Sequence, residues 1–393
     1  MNARHTVSEG LVRWRRAAFA AGGAGALLLF AGLLLDPAQL FQSYLMAYLF
    51  CLAFGLGSLA VLLLHNLTGG AWGFAVRRLL EGALRTLPLL ALCFVPIALG
   101  RVYLYEWARP EALADPALAH KAPYLNTTFF LARAALYFAV WIGLARAVLR
   151  ASERADRSGD ARVMLRLRRV SAAGLVLYVL TMTGAAFDWA MSLEPHWYST
   201  IYGVQFVVGQ GLAALCLGTL CAARLARHPP FTRWLRPRHF HDLGNLIFAF
   251  VMLWAYVSFS QFLIIWSGNL PEEVPWYLHR STGGWQAIAW TLFVLHFALP
   301  FGVLLVRRSK RSAEVLSAVA LLLIALRLVD LFWLIAPALH RSGLHVSWMD
   351  LAAPLFLCGL WLGTFARMLQ GRPLLSLQDA GLQQSLEERA VGA

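Results

Sequence analysis

Ten runs of roughly 20 residues, each nearly free of charge, recur along this 393-residue chain. In a helix rising about 1.5 Å per residue, such a run crosses a hydrocarbon layer about 30 Å thick. Within that layer the backbone must satisfy its own hydrogen bonds, which leaves helices as the only structure for apolar runs of this length. The runs lie at 17–35, 40–64, 79–100, 127–149, 168–190, 199–223, 242–266, 284–306, 313–335 and 347–369. The expected fold is therefore an all-α integral membrane protein with about ten transmembrane helices, one polytopic domain over 1–393. A composition 60% hydrophobic and 14% charged excludes an ordinary soluble globular chain.

The net charge of +14 would suit nucleic-acid binding only if the basic residues clustered on a separate domain, and they do not. With the N-terminus inside, 26 of the 34 Lys and Arg fall on alternate loops or the two ends. The opposite loops hold five: Arg101, Arg109, Lys121, Arg280 and Arg341. Positive loops stay cytoplasmic, so both termini are expected there. Arg13, Arg15 and Arg16 precede a run long enough to span, with no convincing cleavage site after it, which reads as a retained first helix. Cys51, Cys93, Cys216, Cys221 and Cys358 all fall in or at the ends of apolar runs without CxxC spacing, so neither a disulfide framework nor a cysteine-ligated metal cluster is expected. Nucleotide loops and catalytic-triad spacings are absent, and no soluble domain is expected.

An ionisable group at the centre of a spanning helix costs about 2.5–3.5 kcal/mol on insertion scales, so each one calls for a partner, water or a function. Asp188, Glu194 and His196 fall within nine residues, flanked by Trp189 and Trp197, a composition suited to a quinol-head pocket or a proton exit and equally to an interfacial turn. Glu81 and Arg85 are four apart and Arg327 and Asp330 three apart, spacings that predict pairs along one helix face. Arg133 has no acid within a turn of its own helix and is expected to meet one on a neighbour, or to snorkel. Asp242 and Asn245 at one end of the seventh run, with Ser258, Ser260 and Gln261 at the other, suit two half-channels. His296 is expected toward the cytoplasmic half, with Gln205 and Gln210 as hydrogen-bonding groups. His65, His296, His340 and His345 lie on separate segments at mixed depths, which argues against paired haem ligation.

Two stretches carry a family resemblance. Phe187-Asp188-Trp189-Ala190-Met191-Ser192-Leu193-Glu194-Pro195-His196-Trp197-Tyr198-Ser199-Thr200-Ile201-Tyr202-Gly203 is one; the segment from Tyr256 through Gln261, Asn269-Leu270-Pro271-Glu272-Glu273 and Trp276 to Tyr277 is the other. Both resemble a membrane subunit of alternative complex III, a bacterial quinol:cytochrome c oxidoreductase. The match is to its smaller polytopic subunit, called quinone-binding subunit 2 and related to the polysulfide-reductase membrane anchors. The resemblance implies a bacterial inner-membrane location and two four-helix bundles, here within 36–190 and 199–335, with the first and last helices peripheral. It also implies partners: a paralogous membrane subunit, an iron–sulfur protein and multihaem cytochromes c. This subunit would hold no metal or covalent cofactor itself, with quinone or quinol as the only small-molecule candidate. Candidate proton-pathway or quinone-site residues are Asp188, Glu194, His196, Asp242, His296, Arg327 and Asp330. The loop residues Glu272, Glu273, Trp276 and Tyr277 are partner-docking candidates. A secondary transporter and a purely structural anchor are the competing readings; Pro88 and Pro96 break the third run, but its counterpart in the second half has no matching break.

Overall fold

The computed structural model describes residues 2–158, 161–228, 231–372 and 374. Arg389, a basic residue of the C-terminal end counted among the 26, lies outside them. Among the described residues, ten helices are long and apolar enough to cross a membrane: α1 (Gly10–Leu35), α2 (Pro37–Thr68), α3 (Trp72–Leu99), α4 (Thr127–Asp156), α5 (Arg162–Leu193), α6 (Tyr202–Leu225), α7 (Pro237–Gly268), α8 (Trp285–Leu305), α9 (Ala313–Leu339) and α10 (Met349–Leu369). No strand occurs among the described residues. The chain is a multi-pass, all-α membrane protein. Ten crossings put Gly10 and Leu369 on the same side of the helical bundle, with the arginine-rich loops; the opposite, aromatic side carries 101–126, 194–201 and 269–284.

Local chemistry sets the ends of these helices. Asp36 caps α2 by accepting from the Gln39 N–H at 3.0 Å, and Pro37 follows at the first helical position, where its missing N–H costs nothing. Ser312 caps α9 in the same way, accepting from the Val315 N–H. At its far end α7 stops on Asn269, whose φ of 46° is the left-handed conformation that Asn tolerates better than most side chains. Four helices, α2, α4, α5 and α7, run 30–32 residues. At about 1.5 Å per residue they outreach the hydrocarbon layer, and α4 and α5 carry their extra turns to the arginine-rich face.

As expected from Pro88 and Pro96, α3 is not continuous; it divides into Trp72–Leu84, Leu87–Leu92 and Val95–Leu99. Neighbouring helices satisfy the polar groups at these breaks. The Trp361 indole N–H on α10 donates to the Thr86 hydroxyl at 2.8 Å, and the Tyr44 hydroxyl on α2 donates to the Cys93 carbonyl at 2.9 Å. A second irregularity lacks a sequence signal: α8 widens into a π-helix over Leu292–Ala298.

Helices α2 and α6 are the most enclosed, and they pack against each other along the middle of the molecule. Around α2 lie α3, α5, α9 and α10; around α6 lie α3, α5, α7 and α9, while α4 lies along α5 and α8 lies against α7 and α9. Helix α1 packs along α10 through small residues. A Cβ on Gly25 would stand 2.4 Å from the Phe356 nitrogen, and one on Gly359 would stand 2.4 Å from the Gly22 nitrogen. In lipid this close backbone approach substitutes for hydrophobic driving force.

Candidate functional site

The polar residues within the spans gather into separate clusters, and the first is built on α4 and α5. Asp188, 0% exposed, receives both Arg133 Nε (2.8 Å) and Arg133 Nη2 (2.9 Å) on its two carboxylate oxygens, a bidentate pair between neighbouring helices. The Tyr137 hydroxyl donates to the same carboxylate at 2.8 Å, and Arg133 Nη1 donates to the Tyr124 carbonyl at 3.0 Å. The guanidinium lies 3.8 Å from the Tyr124 ring centroid and 4.4 Å from that of Phe129. Burial, followed by the nearby Asp188 carboxylate, pushes the Tyr124 hydroxyl up to about 12. Arg133 thus has the neighbouring acid its sequence called for. Tyr137 was missed, although its position four residues after Arg133 already put it on the same helix face.

Beside this cluster, a cleft of about 530 Å³ opens between the 120–125 segment and 187–198, lined by His120, Tyr124, Phe187, Met191, Trp197 and Tyr198 among others. Lys121 closes one edge by donating to the Pro195 carbonyl at 2.6 Å. An aromatic body packs behind Asp188: the Trp189 ring lies 4.7 Å from Phe94 and 5.8 Å from both Phe138 and Trp141.

The three residues expected to share one pocket go three ways. Glu194 pairs with Arg280 at 2.8 Å, while His196 is exposed and meets Asp115 at 3.0 Å. Chain direction explains the split, because α5 ends in a single 3-10 turn at Met191–Leu193, after which side chains alternate between inward (Pro195, Trp197) and outward (His196, Tyr198) positions. Arg280, a lone basic residue in an aromatic-face loop, is 1% exposed. It donates to Glu194, to the Leu334 carbonyl (2.8 Å) and to the Trp276 carbonyl (3.0 Å), with the Trp276 ring 3.7 Å away. Of the loop residues expected to dock a partner, Trp276 is therefore turned inward, stacked on Trp197 at 4.8 Å. Tyr277 is half-buried, Glu273 precedes the Val274–Ser281 helix, and Glu272 is exposed.

A further cluster lies in α6–α9. Arg327 and Asp330 pair within α9 as their spacing predicts. The guanidinium fits there because position 209 is glycine, where a Cβ would stand 2.4 Å from the Arg327 guanidinium carbon. His296, inside the π-helical stretch, is 0% exposed, and neither ring nitrogen has a hydrogen-bond partner. Its ring lies 4.2 Å from Trp254 on α7. It sits near the middle of α8, within electrostatic reach of Asp330 and Arg327. Gln261 stands two turns beyond Trp254 on the same face of α7, buried, with both amide atoms lacking partners; Gln205 Oε1, Arg327 Nε and Trp333 Nε1 are likewise unsatisfied. Gln210 is bound instead, accepting from Tyr178 at 2.8 Å.

On the arginine-rich side, Asp242 lies at the near end of α7, away from the other candidates, only partly buried and 3.6 Å from His241. One expectation is corrected there. Glu81 does not pair with Arg85. Arg77 and Arg78 take its carboxylate, the Ser152 hydroxyl donates to it, and Arg85 turns to Glu153 at 2.7 Å. The long end of α4 brings acids to α3 that intrahelical spacing does not reveal.

On the aromatic side, Asp350 accepts from Ser43 (2.6 Å) and from the Ser347 N–H (2.8 Å), near His340, whose ring lies 4.7 Å from that of His345. Burial and then the His345 charge lower the His340 pKa from 6.5, against the opposing pull of Asp350 and Asp36. Below 6.5 the unfolded chain then binds more protons here than the folded one. This contribution to stability is present above 6.5 and lost as pH falls through the lower folded value. Thermal melts in detergent are expected to weaken between pH 7 and 5, and less steeply in His340→Gln; equal slopes would remove His340 from the acid response.

Among the described residues, no three His, Cys, Asp or Glu side chains gather at metal-ligating range. No family model and no curated protein matches this chain.

Proposed function

We propose that this chain is an integral subunit of a quinol:cytochrome c oxidoreductase of the alternative complex III type, lying in a bacterial inner membrane with both termini cytoplasmic. In this reading it carries no redox cofactor, supports quinol oxidation by partner subunits and moves protons through its buried polar residues. The observation that carries the proposal is His296. A histidine sealed among α7, α8 and α9, lacking partners on both nitrogens and facing the Arg327–Asp330 pair, is costly in lipid unless protons or water use it. The unsatisfied atoms of Gln261 and Trp333 extend that polar line toward the aromatic face, where Glu194 and Arg280 lie. The cleft above Asp188 offers an apolar-walled place with polar rims that suits a quinone head.

The test is Asp330→Asn in the assembled complex, reconstituted in liposomes. Proton release per electron is expected to fall at least tenfold, while the complex still assembles; unchanged release and turnover would take Asp330 out of the mechanism. A solute transporter is the second reading, favoured by the proline-broken α3 and the π-helical stretch within α8. Purification separates the two: a subunit emerges with multihaem cytochrome and iron–sulfur partners, a transporter alone.

A further inference from the structure

Where α3 breaks ahead of Pro88, it parts from α4 and leaves a lateral cleft of about 260 Å³ closed on its third side by the end of α10. Its walls divide by chemistry. Leu87, Pro88, Ile142, Leu149 and Met368 form an apolar side, and Arg85, Arg146 and Arg372 rim the mouth. The rim carries excess positive charge. Arg85 and Arg372 share one carboxylate, Glu153, at 2.7 and 3.4 Å, and Arg146 makes no ion pair or hydrogen bond among the described residues. Nearby acids are already taken, since Glu81 and Asp156 are held by Arg77 and Arg78. Three guanidinium groups against one carboxylate leave a local charge of about +2.

Depth adds to this. Arg372 lies just past the last residue of α10, Leu369, so the rim stands at the edge of the spanning region and the apolar wall extends toward its middle. From this juxtaposition we propose that the α3–α4–α10 cleft binds the headgroup of an anionic phospholipid from the arginine-rich leaflet, with one acyl chain lying on the Pro88, Ile142 and Met368 wall. Guanidinium groups recognise phosphate through paired N–H donors, and basic pockets between spanning helices are suited to anionic headgroups. Free phosphate shares the headgroup chemistry but gains nothing from the apolar wall. The acyl chain therefore selects the lipid.

The full chain, purified in mild detergent and offered phosphatidylglycerol or phosphatidylcholine, is assayed by native mass spectrometry for retained lipid. Phosphatidylglycerol is expected to be retained in preference, with Arg146→Gln and Arg372→Gln each weakening retention about fivefold. Arg166→Gln, an exposed arginine on the same face but outside the cleft, is expected to change nothing. Inorganic phosphate is expected not to displace the lipid. Equal retention of phosphatidylcholine, unchanged retention in both cleft variants, an equal loss in Arg166→Gln, or displacement by inorganic phosphate would each overturn the assignment. Arg146 has no partner to lose among the described residues, so its variant is expected to fold as the parent does.

Discussion

Arg133→Leu is expected to destabilise the protein by about 3–5 kcal/mol, because it leaves the Asp188 carboxylate buried in lipid with its counter-ion gone. The loss comes mostly from the stranded charge rather than from the value of the pair itself. Arg133→Leu combined with Asp188→Asn should therefore recover most of it: the amide oxygen of Asn still accepts from Tyr137, and no charge remains to be neutralised. Unfolding in detergent, followed by tryptophan fluorescence, reads both variants, since Trp189 and Trp141 lie in the aromatic body beside the pair. A single Arg133→Leu variant as stable as the parent would mean that the pair does not organise α4 against α5.

The second large effect is expected at Gly57, in the middle of α2. A Cβ there would stand 2.0 Å from the Gln210 carbonyl oxygen and 2.6 Å from its carbon. These are backbone atoms of α6, and no rotamer change relieves the clash. Even Gly57→Ala must force apart the two most enclosed helices. Gly57→Leu is expected to cost more than about 3 kcal/mol, at or beyond the upper end of ordinary overpacking, and to reduce the folded yield after extraction. Gly143→Ala is the contrast: its Cβ meets nothing within 4 Å, so the better helix propensity of alanine should leave stability unchanged or raise it by up to about 1 kcal/mol. A Gly57→Ala protein that melts with the parent would show that α2 and α6 pack less closely than the 2.0 Å approach to the Gln210 carbonyl requires.

These two predictions differ in how far the sequence foreshadows them. Arg133 announced that it needed a partner, since a lone arginine in an apolar run is costly, but the partner lies 55 residues away on another helix. Spacing on a single helix identified Arg327–Asp330, where three residues suffice to bring the groups together. The same reasoning misassigned Glu81. Arg77, Arg78 and Arg85 all lie within one turn of it, and the choice among them depended on where the far end of α4 delivers Ser152, Glu153 and Asp156. His196 failed for a related reason. Nine residues of sequence proximity to Asp188 mean little across the end of a helix, where direction changes with every residue.

Hydrophobic length and proline position are properties of single segments, so the chain alone determined ten spanning helices and the broken third one. Lipid imposes that outcome on any apolar run of sufficient length, whatever its neighbours. Tertiary structure alone decided which helices touch, that Arg280 turns inward to Glu194, that α8 widens around His296, and that Gly209 makes room for Arg327. Those outcomes depend on side chains and backbones meeting from segments tens to hundreds of residues apart, and no periodicity within one segment records such a meeting.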